Sequence, residues 1–303
     1  MIEAIGFVGF GEAAYYLSKG LREAGLSRTY SFDINSGSAK LGPKIRGRAR
    51  ETSTELLESN AALAAACGVI LSAVTADQAL AAAKQTAPYL SSRHYYADLN
   101  SVSPQTKQAI ADVVSSTGAR FVEAAMMAPV PPYAHRVPTL LGGAAAPEFL
   151  EMLRPFSVRM EVVSTDRIGR AAAVKMFRSI VYKGLEALMF ECVLGASRFE
   201  AEPAVFASLN ESFPGVDFEK LADYMIGRVA IHGERRAREM EEAAGTLREL
   251  GIEPMMTEAT VRRMDWAASL ELRERFGGQF PKSYQEVLDA CAERPVSSSQ
   301  EKT

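Results

Sequence analysis

Short apolar runs alternate with helix-spaced stretches through the first half of the chain. Residues 4–8 are apolar and predict a strand. Residues 15–24 carry helical spacing, which Gly25 stops, and residues 28–32 predict a second strand. The same alternation continues with a helix over 61–67, a buried strand over 69–74 and a helix over 78–87 capped by Thr75, Ala76 and Asp77. A strand over 95–99 and a helix over 105–115, opened by Pro104, come next. Strands at 120–124 and 139–141 bracket a proline-rich turn, a helix at 148–153 follows, and a last strand spans 160–163. That turn is stiff enough to have a fixed conformation, and His135 and Arg136 on it are either solvent-facing or ligand contacts.

The pattern changes at residue 169. Residues 169–197 contain no proline and are rich in Ala, Leu and Met, enough for a long central helix. Its apolar residues, among them Val174, Phe177, Val181, Leu185 and Leu188, surround the helix rather than stripe it, so a buried rod is expected. Helices are predicted at 218–233, 234–250, 255–268 and 283–292. The fold class is therefore α/β: a Rossmann-type doubly wound sheet followed by an all-helical C-terminal domain, joined by the central helix. Expected boundaries are 1–167 for the nucleotide-binding domain, 168–293 for a helical substrate and dimerisation domain, and 294–303 for a polar, frayed tail.

Composition narrows the partners. Of 303 residues, 48% are apolar and 23% charged, and the net charge of −3 gives no electrostatic case for nucleic acid or an acidic membrane. Cys67, Cys192 and Cys291 are odd in number and in no metal-ligand spacing, so no metal site is expected and the thiols fit a reducing cytoplasm. The apolar N-terminus lacks a basic leader and is too short and glycine-rich for a signal peptide or membrane span. The expected setting is cytoplasmic.

Chemistry enters at Gly9-Phe10-Gly11-Glu12-Ala13-Ala14, a G-x-G-x-x-A turn between the first strand and helix. Strand, glycine turn, helix, strand and acid arrive in the order that a dinucleotide site requires. Gly9 permits the tight turn, Gly11 admits a pyrophosphate, and Ala14 keeps helix and sheet close. The helix N-terminus, through Gly11, Glu12 and Ala13, supplies N–H groups to phosphate, although the Glu12 charge suits this only if it points away. Asp33 can accept from an adenosine ribose and repels a 2′-phosphate, which favours NAD without excluding NADP. Val74 and Thr75 at one strand's carboxyl end, and Asn100 at another's, complete the candidate cofactor site. Asn100 and Ser101 either bind a substrate carboxylate or belong to a plain helix start with Ser103 as cap.

The central helix carries Lys175, Ser179 and Lys183 at i, i+4 and i+8, with Glu186 close to the same face. Such lysines are either paired, outward-reaching or used. Arg178 is either a carboxylate or phosphate ligand or a surface arginine. The region 232–263, with His232, Arg235, Arg236, Arg238, Arg262 and Arg263 among interleaved glutamates, is either a salt-bridged solvated face or an anion site.

With these residues in order, the chain resembles the β-hydroxyacid dehydrogenase family, which includes 3-hydroxyisobutyrate and 6-phosphogluconate dehydrogenases. Residues 2–197 carry the likeness: GFVGFGEAA, DLNSVSP and GRAAAVKMFRS stand at the family's glycine turn, substrate turn and lysine helix. The C-terminal half is more like a branch of phosphogluconate dehydrogenase-like oxidoreductases with a distinct C-terminal domain. The resemblance implies a nicotinamide cofactor, Lys175 as catalytic lysine and Ser101 as a substrate contact. It also puts Ser179 where the family has an asparagine, and Met127, Ala128 and Pro129 where it has a serine and two glycines. The implied activity is hydride transfer between NAD(P) and a small 3-hydroxy acid or sugar acid, Lys175 serving as general acid/base, with or without decarboxylation. An imine or carbonyl reductase on the same scaffold and a non-catalytic dinucleotide sensor are the alternatives. The apolar helical domain leads us to expect a homodimer.

Overall fold

The structure, a computed structural model, describes residues 2–292; the expected tail at 294–303 lies outside them. The chain divides into two compact units, with the boundary between Met176 and Phe177.

The first unit is one eight-stranded sheet in the order β3-β2-β1-β4-β5-β6-β7-β8. Its strands are β1 (Ala4–Val8), β2 (Arg28–Phe32), β3 (Thr54–Leu56), β4 (Val69–Ser72), β5 (Tyr95–Asp98), β6 (Arg120–Met126), β7 (Thr139–Gly142) and β8 (Met160–Ser164). Strands β1 to β6 are parallel, whereas β7 pairs antiparallel to β6 and parallel to β8. Helices α1 (Glu12–Glu23), α2 (Gly42–Glu51), α3 (Asn60–Ala66), α4 (Ala79–Thr86), α5 (Pro104–Ser115) and α6 (Ala146–Leu153) connect them. The doubly wound sheet is thus present. Strand β3 and helix α2 went unpredicted: β3 is a three-residue edge strand, and mean hydropathy along α2 is low.

The core lies on both faces of the sheet. One cluster holds Phe7, Phe10, Leu17, Leu71 and Phe149, and the other Ile70, Tyr96, Ile110 and Phe121. Continuous apolar strands are what a parallel sheet covered on both faces requires. The proline-rich turn is fixed, as expected: Met127 N–H donates to Pro138 O at 2.7 Å, and a turn at Ala134–Arg136 packs on α1. His135 occupies space that a Cβ at Gly20 would fill, so this ring is a packing element rather than a ligand contact. Burial holds its pKa below the usual histidine value.

Helix α7 (Arg170–Ala196) runs from the first unit into the second. The second unit contains α8 (Glu202–Ser212), α9 (Phe218–Glu249), α10 (Met255–Ala268), α11 (Leu272–Arg275) and α12 (Tyr284–Ala292). The two helices expected at 218–233 and 234–250 are one continuous α9. Gly233 does not break it but lets α10 approach, since a Cβ there would come 3.2 Å from Met264 O. The expected buried rod is also corrected. Phe190 and Val193 of α7 pack with Ile226, Val229 and Met264, while Val181 is 65% and Leu188 55% exposed in this chain.

Candidate active site

The carboxyl ends of the parallel strands lie in one register row: Phe32, Val8, Ser72, Asp98 and Glu123 are successive neighbours across the sheet. Ligands of open α/β sheets bind beyond such ends, where the strand order reverses, which here is between β1 and β4. The predicted cofactor residues occupy this edge. Gly9 has φ +85°, and a Cβ on it would lie 2.8 Å from both Ala73 O and Val74 Cγ1, so the two turns meet because residue 9 is glycine. Nothing stands within 4 Å of where a Gly11 Cβ would be, and α1 begins there with no side-chain cap. Its first N–H groups therefore have room for an anion. Glu12 is exposed. The Phe10 ring is fully buried against Phe7, so only its backbone faces the turn.

Asp33 lies just beyond β2. Its Oδ2 accepts from Phe10 N–H at 2.7 Å and its Oδ1 from Asn35 N–H at 2.8 Å. A carboxylate has about four acceptor sites, so a ribose can still be received. Thr75 forms no capping hydrogen bond, contrary to expectation, because residues 76–78 make a 3₁₀ turn before α4 starts.

The turn after β5 is held by two networks that sequence reasoning missed. Asn100 is buried, and its Oδ1 accepts from Val74 N–H at 2.8 Å while its Nδ2 donates to Ser72 Oγ and Asp98 Oδ1. Its amide thus joins the β4 and β5 turns instead of reaching outward. Behind it, Lys107 Nζ donates to Asp98 Oδ2 at 2.6 Å, Asp98 O at 2.7 Å and Ala124 O at 3.2 Å. Three acceptors match the three ammonium protons, the arrangement that makes a fully buried lysine tolerable. Ser103 caps α5 by accepting from Thr106 N–H at 3.1 Å.

Glu123 forms the second network. Its carboxylate is fully buried and accepts from Gly169 N–H at 2.7 Å and Ala172 N–H at 2.6 Å, at the start of α7. A strand residue thereby caps a helix about 46 residues later, placing an anion at its positive end. Gly142 leaves the space, since a Cβ there would be 2.6 Å from Glu123 Oε2. Gly169, at φ +92°, brings the helix start against Pro104. These anchors carry Lys175 to the β5 turn, where its Nζ donates to Ser101 Oγ at 2.5 Å. Lys175 is half-buried and Ser101 exposed. Val174 and Phe177, apolar residues on either side of Lys175 in sequence, are both exposed in this chain. Met127 and Ala128 are half-buried at the end of β6.

The sequence signal for these networks was a single acid inside each strand: Asp98 in YYAD and Glu123 in RFVEAAM. A lone acid there must find a partner.

Within the second unit, Lys183 is not free for substrate. Its ammonium pairs with Glu239 at 2.6 Å, and burial lowers its pKa against the opposing pull of that carboxylate. The solvated-face expectation for α9 holds for Arg235 with Glu239 and Arg238 with Glu241. It fails for Arg236, which is buried and pairs with fully buried Glu186 at 2.7 Å. Ser179 is half-buried and Arg178 exposed.

Two relatives of known structure share most of the chain. A conserved hypothetical protein from Sinorhizobium meliloti 1021 is 35% identical with a TM-score of 0.80, over 97% of each chain. The conserved protein MTH1747, described as structurally similar to 3-hydroxyacid dehydrogenases, is 30% identical with a TM-score of 0.74, over 91% of this chain and 99% of that one. The chain belongs to this 3-hydroxyacid dehydrogenase-like family. Mycobacterium tuberculosis 3-hydroxyisobutyrate dehydrogenase, at 12% identity and a TM-score of 0.70 over 96% and 99% of the two chains, shares the dehydrogenase-like fold. Residues 196–267 match a family model described as a domain of unknown function, DUF1932. Among the described residues, no helix is long and apolar enough to cross a membrane and no cluster of metal-ligating side chains is present.

Proposed function

We propose that this chain is a nicotinamide-dependent oxidoreductase that transfers hydride between the cofactor and a small 3-hydroxy acid or sugar acid. The observation that carries the reading is the Lys175–Ser101 contact at the carboxyl edge of the sheet, one turn away from the glycine loop in the network Gly9–Val74–Asn100–Ser101. Family membership supports the same reaction class.

The residues fit the cofactor. The open space at Gly11 and the uncapped start of α1 suit a pyrophosphate, and Asp33 suits an unphosphorylated ribose. When bound, the nicotinamide supplies the hydride acceptor or donor. The chain itself handles the proton and the geometry. Neutral Lys175 takes the hydroxyl proton of the substrate as general base, and in the reverse direction its ammonium returns it. An arginine would stay protonated and fail in this role. Ser101, pinned by Lys175 and by the buried Asn100–Asp98–Lys107 network, positions the substrate acid. Where a β-keto acid forms, protonated Lys175 holds the enolate oxygen as carbon dioxide leaves.

An absorbance assay for reduced cofactor, with NAD or NADP and a panel of 3-hydroxy and aldonic acids, tests the reading. A signal abolished by Lys175→Ala is expected. A signal that survives that change removes Lys175 from the mechanism. The homodimer is proposed from the exposed α7 residues Val181, Leu185 and Leu188; a monomer mass by light scattering refutes it.

A further inference from the structure

Within the helical unit, α7 and α9 bring together a group of aromatic and basic side chains. The Arg178 guanidinium lies 5.2 Å from the centre of the Tyr182 ring, and that of Arg228 lies 5.8 Å from the same ring and 5.3 Å from the Tyr224 ring. The two rings are joined at their hydroxyls, Tyr182 donating to Tyr224 at 2.9 Å. Arg228 Nη1 also donates to the Tyr224 oxygen, at 3.2 Å. A phenol has two acceptor positions and one proton. Both acceptor positions of Tyr224 are thus taken, and what it presents outward is its O–H. Tyr224 is 50% exposed, so that proton is accessible.

The charges beneath are unevenly matched. Glu186, fully buried, is shared between Arg236 at 2.7 Å and Arg228 at 3.3 Å. Neither contact forms a well-aligned hydrogen bond, and Arg228 Nε and buried Arg236 Nε lack hydrogen-bond partners among the described residues. Glu239 serves both Lys183 and Arg235. Arg178 makes no ion pair among the described residues. The excess of positive charge is felt by His232, which burial first and the surrounding Arg235, Arg236, Arg228 and Arg273 next push down to about 4. Tyr182, pushed up to about 12 chiefly by burial, keeps its proton. The three side chains themselves offer donors: the Arg178 guanidinium, the remaining N–H groups of Arg228 and the Tyr224 hydroxyl. The complementary ligand offers only acceptors.

We infer that Arg178, Arg228 and Tyr224 form a recognition site for an oxyanion, a carboxylate or phosphate group, with Tyr182 as the plate that spaces the two guanidiniums. Arginine forks match such groups two oxygens at a time. Calling the ligand part of the substrate rests on the oxidoreductase reading; the oxyanion site itself does not.

The probes are inorganic phosphate and malonate, titrated by calorimetry into the full chain at constant ionic strength. Binding is expected, weakened at least tenfold by Arg178→Gln and by Tyr224→Phe and unchanged by Arg248→Gln, whose arginine is paired with Glu258. Arg178 and Tyr224 are exposed, so both variants are expected to fold, which a circular dichroism spectrum checks. Tighter phosphate indicates a phosphorylated ligand, and tighter malonate a carboxylate; either sustains the site. No heat with either probe, or equal weakening in Arg248→Gln, overturns it. NADH affinity, followed by fluorescence in the same samples, separates the two readings. Its loss from the unmodified chain refutes the dehydrogenase reading and leaves the oxyanion site standing.

Discussion

The two units bury charge in opposite ways. In the sheet unit, the Lys107 ammonium has three acceptors and each Glu123 carboxylate oxygen accepts from a helix N–H. In the helical unit, Glu186 is divided between two guanidiniums, at 2.7 Å and 3.3 Å, with no well-aligned hydrogen bond to either. A closed network fixes one geometry and serves as scaffold, whereas a misaligned one repays less of its desolvation. Their apolar surfaces differ in the same sense. Helices cover both faces of the sheet, while α7 leaves Val181, Leu185 and Leu188 uncovered in this chain.

The largest effect is expected at the point where the scaffold serves chemistry. Lys175→Ala should lower turnover about 10³-fold, the scale of a lost general base, with NADH affinity by fluorescence little changed. Next is the scaffold itself. Lys107→Met leaves Asp98 buried and unpaired and should cost about 3–5 kcal/mol in urea unfolding. The contrasting double change, Glu186→Leu with Arg236→Met, should cost far less or be neutral, because an imperfect pair repays little of its desolvation. Equal losses would erase the distinction between the units. Asp33→Ala should weaken NAD about tenfold, roughly 1.4 kcal/mol, and NADP less, in parallel titrations; equal losses would remove the basis for preferring NAD.

The smallest effect concerns pH. His232 in the folded chain titrates at about 4, below the ordinary histidine value. Between the two, the unfolded chain binds the extra proton, so stability is complete above the ordinary value and is lost as pH falls toward 4. The ring is partly solvated, so screening limits this to about 1 kcal/mol or less. His232→Phe should flatten that slope in denaturation curves at pH 4 to 7, whereas His135→Phe offers the sheet unit's counterpart, with the same sign.

Much of the sheet unit was legible in the sequence. The run of apolar strands and the turn Gly9 to Ala14 fix a parallel sheet with a glycine loop, because pleat, period and positive φ leave few alternatives. The helical unit was legible only as helices. Gly233 suggested a break because glycine weakens helices, yet here packing against α10 outweighs propensity. Arg236 looked like one more arginine on a solvated face. Its burial depends on Glu186, which lies 50 residues earlier and on another helix.

The sequence by itself determined most of the order of strands and helices, the glycine loop with Asp33, and the lysine at a helix start. All of these follow from local spacing and backbone sterics. Only the tertiary structure decided what that lysine meets and how it is held. Glu123 caps α7, Lys107 neutralises Asp98, and Asn100 ties two turns together, because a buried charge takes whichever partner the packed chain brings within about 3 Å, irrespective of its distance in sequence.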